Sequence, residues 1–589
     1  MSVPPTPDPR GPAGSGPSPT GPARTGRRGT PPPVARRRRI AAALVALAVV
    51  ALLVVVLVTR GGGGDAPVVG STLDVTVRDP TGSGELTTGP GAPLRDRTDL
   101  LGPGGESGRT ADDGSGGDGD TGADEGGTGA DGGGAGANGG DPGAGGDGDA
   151  GTDAPDDRPA GDGATGDAPA PAAGRVLATV AQLTDTHVRD TASPARVPFL
   201  DRLGAPFTPT FRPQEPLTLQ TLAAATRTVN ALRPGLTVVT GDLVDNAQEN
   251  ELDAAIATLR GGRVRPFDAR SLQGADNADP FYYRPDVDPP REPGLLDAAR
   301  RPFTAPGLRS PVAVVPGNHD VLVGGEVQAT PALQAVAVGN RRLVTPDPEF
   351  ARTIPRDADA AQAAVNDLLA AGRLPGTTAA VRPDGSRRLV TGEEAVRRLA
   401  AAGLAGDRDG RADAVRDVGS RVRMVLLDDV PRGGADVGAA EAAQLAFLDR
   451  ALASAGDRWV LVAFHDPLDR TARGRAIRDR LARAPRVLAT LGGDTHHDLV
   501  QPVRTAAGGY WSITTSALAD WPQQGRALRV RETAGGGVAL ETWKLDTAPD
   551  PLGDVARELA YLDAQGGRPG GNAGAAADRN VRLFKPAPR

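Results

Sequence analysis

Five histidines serve the whole 589-residue chain, and all fall in short turn-like sequences rich in Asp, Asn and Gly. These read Asp185-Thr186-His187, Gly317-Asn318-His319-Asp320, Phe464-His465-Asp466 and Gly493-Asp494-Thr495-His496-His497. A further sequence, Gly241-Asp242-Leu243-Val244-Asp245-Asn246, carries no His but shares the look of a loop at a strand end. Imidazole is the commonest metal ligand and the side chain whose proton moves most readily near neutral pH. Carboxylates (Asp185, Asp242, Asp494), one amide oxygen (Asn318) and imidazoles (His187, His465, His496), in a chain with no cysteine, suit Mn, Fe, Zn or Co rather than a Cys-type structural zinc site. Such a set is too large for one tetrahedral ion and matches two ions sharing a carboxylate. Paired ions about 3.5–4 Å apart clamp the attacking and leaving oxygens of a displacement at phosphorus.

Residues so far apart must be gathered by a fold that places them at one edge. From Arg175 onward, short apolar runs end in those polar turns. Val176–Leu183 ends at Asp185, Leu236–Thr240 at Gly241-Asp242, and Val312–Val315 at Pro316-Gly317-Asn318. Val422–Leu427 ends at Asp428-Asp429, Trp459–Phe464 at His465, and Val487–Leu491 at Gly492-Gly493-Asp494. Runs this short and apolar suit strands buried on both faces. Helical patterns at Leu217–Leu232, Ala439–Ser454 and Arg473–Ala484 lie between them, so the fold class is α/β. Ligands of such sheets bind beyond the carboxyl ends of the strands, which is where the five clusters fall.

Two stretches exceed a minimal sheet. Residues 261–309 read as a loop insertion, and 328–418 as a largely helical cap beside the site. Tyr510–Thr515 and Ala527–Asp546 alternate like antiparallel strands, the latter turning at Ala534-Gly535-Gly536-Gly537. Residues 550–589 read as a C-terminal tail, loose beyond Gly566 and folded back by Val581 and Phe584. Tyr282, Tyr283 and Trp521 read as packing between cap and core rather than as stacking groups for a base.

The N-terminal third differs in composition. Residues 1–39 are rich in Pro, Gly and Arg and lack apolar side chains that could pack, so they are expected to be disordered and cytoplasmic. Ile40 to Val58 is an unbroken apolar run flanked by Arg36–Arg39 and Arg60. At 1.5 Å per residue it spans about 28 Å, close to the bilayer core of about 30 Å. The arginines place its N-terminal end in the cytoplasm and the rest of the chain outside. Val58-Thr59-Arg60 is a poor cleavage site, so the expectation is a single-pass anchor in the cell membrane. Residues 59–102 read as a linker or arm. Residues 103–173 hold 16 acidic and 2 basic residues among Gly, Ala, Pro and Thr, a composition expected to stay disordered. That tract carries −14 and residues 1–60 carry +8, so the remainder of the net −7 is close to neutral. No nucleic-acid-binding stripe is indicated, and the oligomeric state is not legible.

Taken in order, Asp185-x-His187, Gly241-Asp242-x-x-Asp245, Gly317-Asn318-His319-Asp320, His465 and Gly493-x-Thr495-His496 resemble the motif set of calcineurin-like metallophosphoesterases, over roughly residues 175–546. The resemblance implies a metallophosphoesterase-type two-sheet β-sandwich flanked by helices, spanning 174–549. It implies two metals, with Asp185, His187 and His496 on the first, Asp242 bridging, and Asn318 and His465 on the second. His319 would protonate the leaving oxygen or bind the scissile phosphate, with Asp320 orienting it. Asp245 and Asn246 would support the ligands rather than be ligands. The implied activity is hydrolysis of a phosphomonoester or phosphodiester by a hydroxide that two Mn, Fe or Zn ions activate.

One position departs from the family, which usually reads Gly-His-x-His where this chain has Gly493-Asp494-Thr495-His496. Asp494 can still supply an oxygen and make the second site harder, or leave it weakened. His497 points elsewhere along a strand and is expected to be a bystander. A weakened site would make the domain a catalytically impaired binding or scaffolding module of the cell envelope. The runs Trp511-Ser512-Ile513-Thr514-Thr515-Ser516 and Asp520-Trp521-Pro522-Gln523-Gln524 resemble a bacterial, mainly actinobacterial, branch of the family. In that branch an arm like Ser71-Thr72-Leu73-Asp74 to Asp99-Leu100 precedes the core.

Overall fold

The strand-forming runs are saturated with Val, Leu and Ala, which leaves neither face for solvent. Leu236–Thr240, Val422–Leu426 and Trp459–Ala463 are buried at every position. The computed structural model describes residues 69–79, 86–101, 170–196, 212–267, 293–431, 437–469, 471–565 and 573–588. Ile40–Val58, most of the 103–173 tract, Tyr282 and Tyr283 lie outside the described residues. Among the described residues no helix is long and apolar enough to cross a membrane.

Two mixed sheets stack face to face. The seven-stranded sheet runs in the order Arg95–Arg97, Val581–Lys585, Val538–Asp546, Gln524–Thr533, Ala173–Leu183, Leu236–Thr240, Val312–Val315. The six-stranded sheet runs Ala414–Val418, Val422–Leu426, Trp459–Ala463, Val487–Gly492, Tyr510–Thr514, Leu499–Val503. Val180, Val238, Val315 and Leu540 of the first meet Met424, Leu461, Leu491 and Trp511 of the second in one continuous core. Helices cover both outer faces. Thr218–Leu232 and Glu249–Arg260 pack on the first sheet, and Val437–Ala453 and Ala472–Arg483 on the second. The result is a sandwich with helices outside, a layer order that buries each element's apolar face.

The strands that end in the polar turns are parallel neighbours. Ala173–Leu183 pairs with Leu236–Thr240, which pairs with Val312–Val315. Val422–Leu426, Trp459–Ala463 and Val487–Gly492 do the same in the second sheet. Parallel pairing brings their carboxyl ends to one edge of the sandwich, so the turn sequences meet there.

Two sequence expectations need correction, and one strand was not foreseen. The cap is smaller and less helical than residues 328–418. Helices Pro331–Ala337, Pro348–Thr353 and Ala358–Ala370 pack with the antiparallel pair Arg341–Pro346 and Gly376–Ala380 around a cluster of their own. Gly392–Ala401 instead buries Ala395 and Leu399 against the first sheet's helices, and Ala414–Val418 is an edge strand of the second sheet. The C-terminal segment folds back through Val581 and Phe584, and its described residues form regular elements rather than a loose tail. Pro551–Gln565 is a helix, and Val581–Lys585 pairs with Val538–Asp546, since Val581, Leu583 and Phe584 are all core residues. Leu499–Val503 forms an antiparallel edge strand that its weak apolar pattern concealed.

The arm before the acidic tract is part of this fabric. Arg95–Arg97 adds a parallel strand to Val581–Lys585. Thr72 donates to the Lys544 carbonyl at 2.9 Å and to Asn580 Oδ1 at 2.9 Å. Arg97 donates to the Val500 carbonyl at 2.6 Å and lies 5.0 Å over the Trp511 ring.

Candidate metal centre

The loop after Ala173–Leu183 and the loop after Leu236–Thr240 are zipped together beyond their strands. Asp185, His187 and Val188 donate backbone N–H to the carbonyls of Gly241, Asp242 and Leu243 at 3.0, 2.9 and 3.0 Å. The backbone turns sharply in these loops and in the one after Val487–Gly492. Asp185, His187, Asp242, Asp494 and His496 all adopt positive φ, between 40° and 66°. Non-glycine residues there cost about 1–3 kcal/mol each and persist only where the surroundings impose them. Five candidate ligands sharing that strain mark this edge as a site rather than a set of connecting loops.

The side chains converge in two groups joined by one carboxylate. His187 Nε2 lies 3.1 Å from His496 Nε2 and 3.5 Å from Asp242 Oδ2. His496 Nε2 lies 3.6 Å from Asp185 Oδ1. On the other side, His465 Nε2 lies 3.1 Å from Asn318 Oδ1, 3.3 Å from Asp242 Oδ1 and 3.8 Å from Asp494 Oδ1. Asp242 thus turns one oxygen to each group. Ligand atoms about 2.1 Å from a common ion stand at separations like these. The structure therefore gathers all seven predicted residues at one edge, with Asp185, His187, Asp242 and His496 forming one group that fits a metal site and His465 and Asp494 forming another with Asp466.

Each histidine's outer nitrogen is tied, which decides what its inner nitrogen can do. The His465 Nδ1–H donates to the Thr240 carbonyl at 2.8 Å, which leaves Nε2 as a lone pair facing the centre. The Nδ1 of His187 meets Asp245 Oδ1 at 3.1 Å, and that of His496 meets Asp520 Oδ2 at 2.6 Å. Such partners orient a ligating imidazole and raise its basicity. Asn318 is fixed likewise, its Nδ2 donating to the Gly325 carbonyl at 3.2 Å, so that Oδ1 faces inward.

The electrostatics show ionisable groups crowded out of water. Burial chiefly pushes the Asp185 carboxyl up to about 6, against the pull of His496 and His465. Burial, helped by the neighbouring His319, pulls His187 down to about 4. Asp242 goes the other way. Burial would raise it, but His465, His319 and His187 outweigh that and hold it below the usual carboxylate range. Burial likewise opposes the charging of His465, yet Asp242, Asp185 and Asp494 hold its pKa well up. Divalent cations in this nest would satisfy the same carboxylates without any proton.

His319 lies beside the first ligand group, its ring 4.5 Å from that of His187 and Asp245 close to both. Its Nδ1–H donates to the Asp245 carbonyl at 3.0 Å, with Asp245 Oδ1 at 3.4 Å. Its side chain is 22% exposed, and Gly325 packs against its Nε2 edge. Burial would lower its pKa, but the Asp242 and Asp245 carboxylates outweigh that and raise it to about 9. Asp320 does not orient it, contrary to expectation. The Asp320 carboxylate accepts backbone N–H from Gly317, Leu243 and Val244 at 2.8, 3.1 and 2.9 Å and staples two ligand loops together. Asp245 takes the orienting role, and Arg189 holds it in turn. His497 belongs to neither group.

Two residues at the site were not singled out from sequence. Asp520, 1% exposed, backs His496 and is gripped by Arg212. It lies in the loop after the strand Tyr510–Thr514 but not directly at the strand end that marked the others. Asp466 brings a third group beside His465 and Asp494. It was in view only as His465's neighbour. Trp521 stacks on Tyr561 with ring centroids 4.7 Å apart.

No family model matches the chain, and no curated protein matches it. Among solved structures it is similar to a dimetal phosphatase from Danio rerio (LOC 393393), with a TM-score of 0.32 at 14% identity over 63% of this chain and 97% of that one. It is also similar to a Thermus thermophilus sulfate thiohydrolase, SoxB, in complex with glycerol, with a TM-score of 0.26 at 14% identity over 67% of this chain and 61% of that one.

Proposed function

We propose that this chain is a metal-dependent phosphohydrolase of the calcineurin-like type, acting on a phosphomonoester or phosphodiester outside the membrane that anchors it. The observation that carries this reading is Asp242, whose two oxygens face two separate sets of inward-pointing nitrogen and oxygen donors. Mn, Fe or Zn ions bound there would polarise the phosphoryl oxygens and acidify water for in-line attack. The protein's own part is to hold that geometry and move a proton. Thr240, Asp245 and Asp520 keep the ligand imidazoles in the correct tautomer. His319, fixed through Nδ1, offers Nε2 to a phosphoryl or leaving oxygen.

The alternative of an impaired binding module rests on Asp494, and Asp494 lies within the second donor set. A direct assay separates the two. The full chain, stripped and reloaded with Mn, Zn or Fe, should hydrolyse p-nitrophenyl phosphate or its bis ester, and Asp242→Asn should abolish turnover. Absence of turnover under every loading would sink the enzyme reading. For the anchor, the chain should fractionate with membranes and become soluble when residues 1–60 are deleted; a soluble full chain would refute it.

A further inference from the structure

We infer that the two metal positions are built to hold unlike cations: a first position with two imidazoles for a borderline ion such as Zn, and an oxygen-rich second position with one imidazole for a harder, more exchangeable ion such as Mn. This rests on the two-metal reading above.

The first position draws on Asp185, His187, His496 and one Asp242 oxygen, two imidazoles and two carboxylates. Both imidazoles are backed by carboxylates, His187 by Asp245 and His496 by Asp520. Each of those carboxylates is locked by an arginine, Arg189 and Arg212 respectively. Backing of this kind makes the imidazole a stronger and better-aimed donor, and its loss costs about 10–100-fold in metal affinity.

The second position differs at every level. It has a single imidazole, His465, whose outer nitrogen meets only the neutral Thr240 carbonyl. Its other donors are oxygens, from Asn318, Asp494 and Asp242. Asp466 adds a further carboxylate within ligand reach of His465 and Asp494. Imidazole favours Zn and its neighbours, whereas carboxylate and carbonyl oxygens suit Mn and Mg. Zinc's general advantage over Mn should therefore be much smaller at the second position than at the first.

The test is zinc displacement from the full chain saturated with Mn²⁺, with released Mn²⁺ read by electron paramagnetic resonance as buffered free zinc is raised. Wild type should release its Mn in two steps of one ion each, separated at least about tenfold in free zinc. Asp494→His should merge the steps by moving the second to lower zinc. Asp520→Asn should move only the first step to higher zinc, because a less basic imidazole loses more affinity for Zn than for Mn, and Asp520→Glu should restore part of that shift. One step releasing both ions from wild type would overturn the proposal, as would two steps unmoved by Asp494→His. A chain that never holds two Mn²⁺ or two Zn²⁺ would instead sink the two-metal reading itself.

Discussion

The backbone carbonyl and the carboxylate of Asp245 both face the Nδ1 of His319, at 3.0 and 3.4 Å. His319 is thereby held by a residue from a different loop, while its own neighbour Asp320 serves the backbone. The two aspartates should separate cleanly in experiment. Asp245→Ala should lower turnover about 100-fold or more, because it removes the carboxylate beside His319 and the backing of the ligand His187 together. Asp320→Ala should mainly lower stability, by about 3 kcal/mol, because three buried N–H groups lose their acceptor. Steady-state kinetics beside urea unfolding of both variants checks this, and equal kinetic defects would contradict it.

Gly317 leaves no room for a side chain. A Cβ there would stand 2.1 Å from Asp242 Oδ1 and 2.7 Å from His465 Nε2. Gly317→Ala should therefore displace the shared carboxylate and empty the centre of metal while the far edge of the sandwich stays folded. Metal content by mass spectrometry, read against far-ultraviolet circular dichroism, tests it. Retention of two ions per chain would show that the contact yields easily.

Behind His496, a buried carboxylate collects three cations. Asp498 lies 2.6 Å from Lys544 Nζ, 2.9 Å from Arg526 Nη2 and 3.9 Å from Arg579 Nη1. Asp498, Lys544 and Arg526 have fully buried side chains. Removing the one anion leaves the cations uncompensated, which costs about 3–5 kcal/mol. Asp498→Asn should show a loss of that size in chemical denaturation. A loss below about 1 kcal/mol would mean water reaches the cluster.

The chain's lysines are Lys544 and Lys585, and both are buried. Burial pulls the Lys585 amine down to about 8 from its ordinary 10.5. Below pH 8 it is charged in folded and unfolded chains alike, and the folded chain bears the whole cost of burying the charge. Between about 8 and 10.5 only the unfolded chain keeps the proton, so stability rises with pH across that window. The Lys585 part of the rise should reach about 3 kcal/mol and be missing from Lys585→Met, while Lys544, which burial pulls down to about 7, adds its own rise in both chains. Urea unfolding at pH 7.5 and pH 10 measures the difference, and identical pH slopes would refute it.

How far the sequence could be read depended on distance along the chain. The ligands were legible because His and paired Asp are scarce and stand immediately after apolar strands, as Asp185 does after Leu183. Asp520 was not, because it lies 24 residues from the histidine it supports and Asp is common in loops. Strand existence followed from local pattern, but partners did not. Arg97 meets Val500 across 403 residues, a pairing no local periodicity encodes. The same holds for Val581–Lys585, whose place beside Val538–Asp546 made an apparent tail into sheet.

The attachment of residues 69–101 to the sandwich bears on how the chain could be divided. Arg95–Arg97 and Thr72 are held by strand pairing and hydrogen bonds to Val581–Lys585, Lys544 and Asn580. A cut in the peptide chain between 102 and 169 would thus yield a two-piece protein, its halves kept together as a complex is. Anything fastened to the N-terminus would stay fastened to the metal centre until the sheet edge itself came apart.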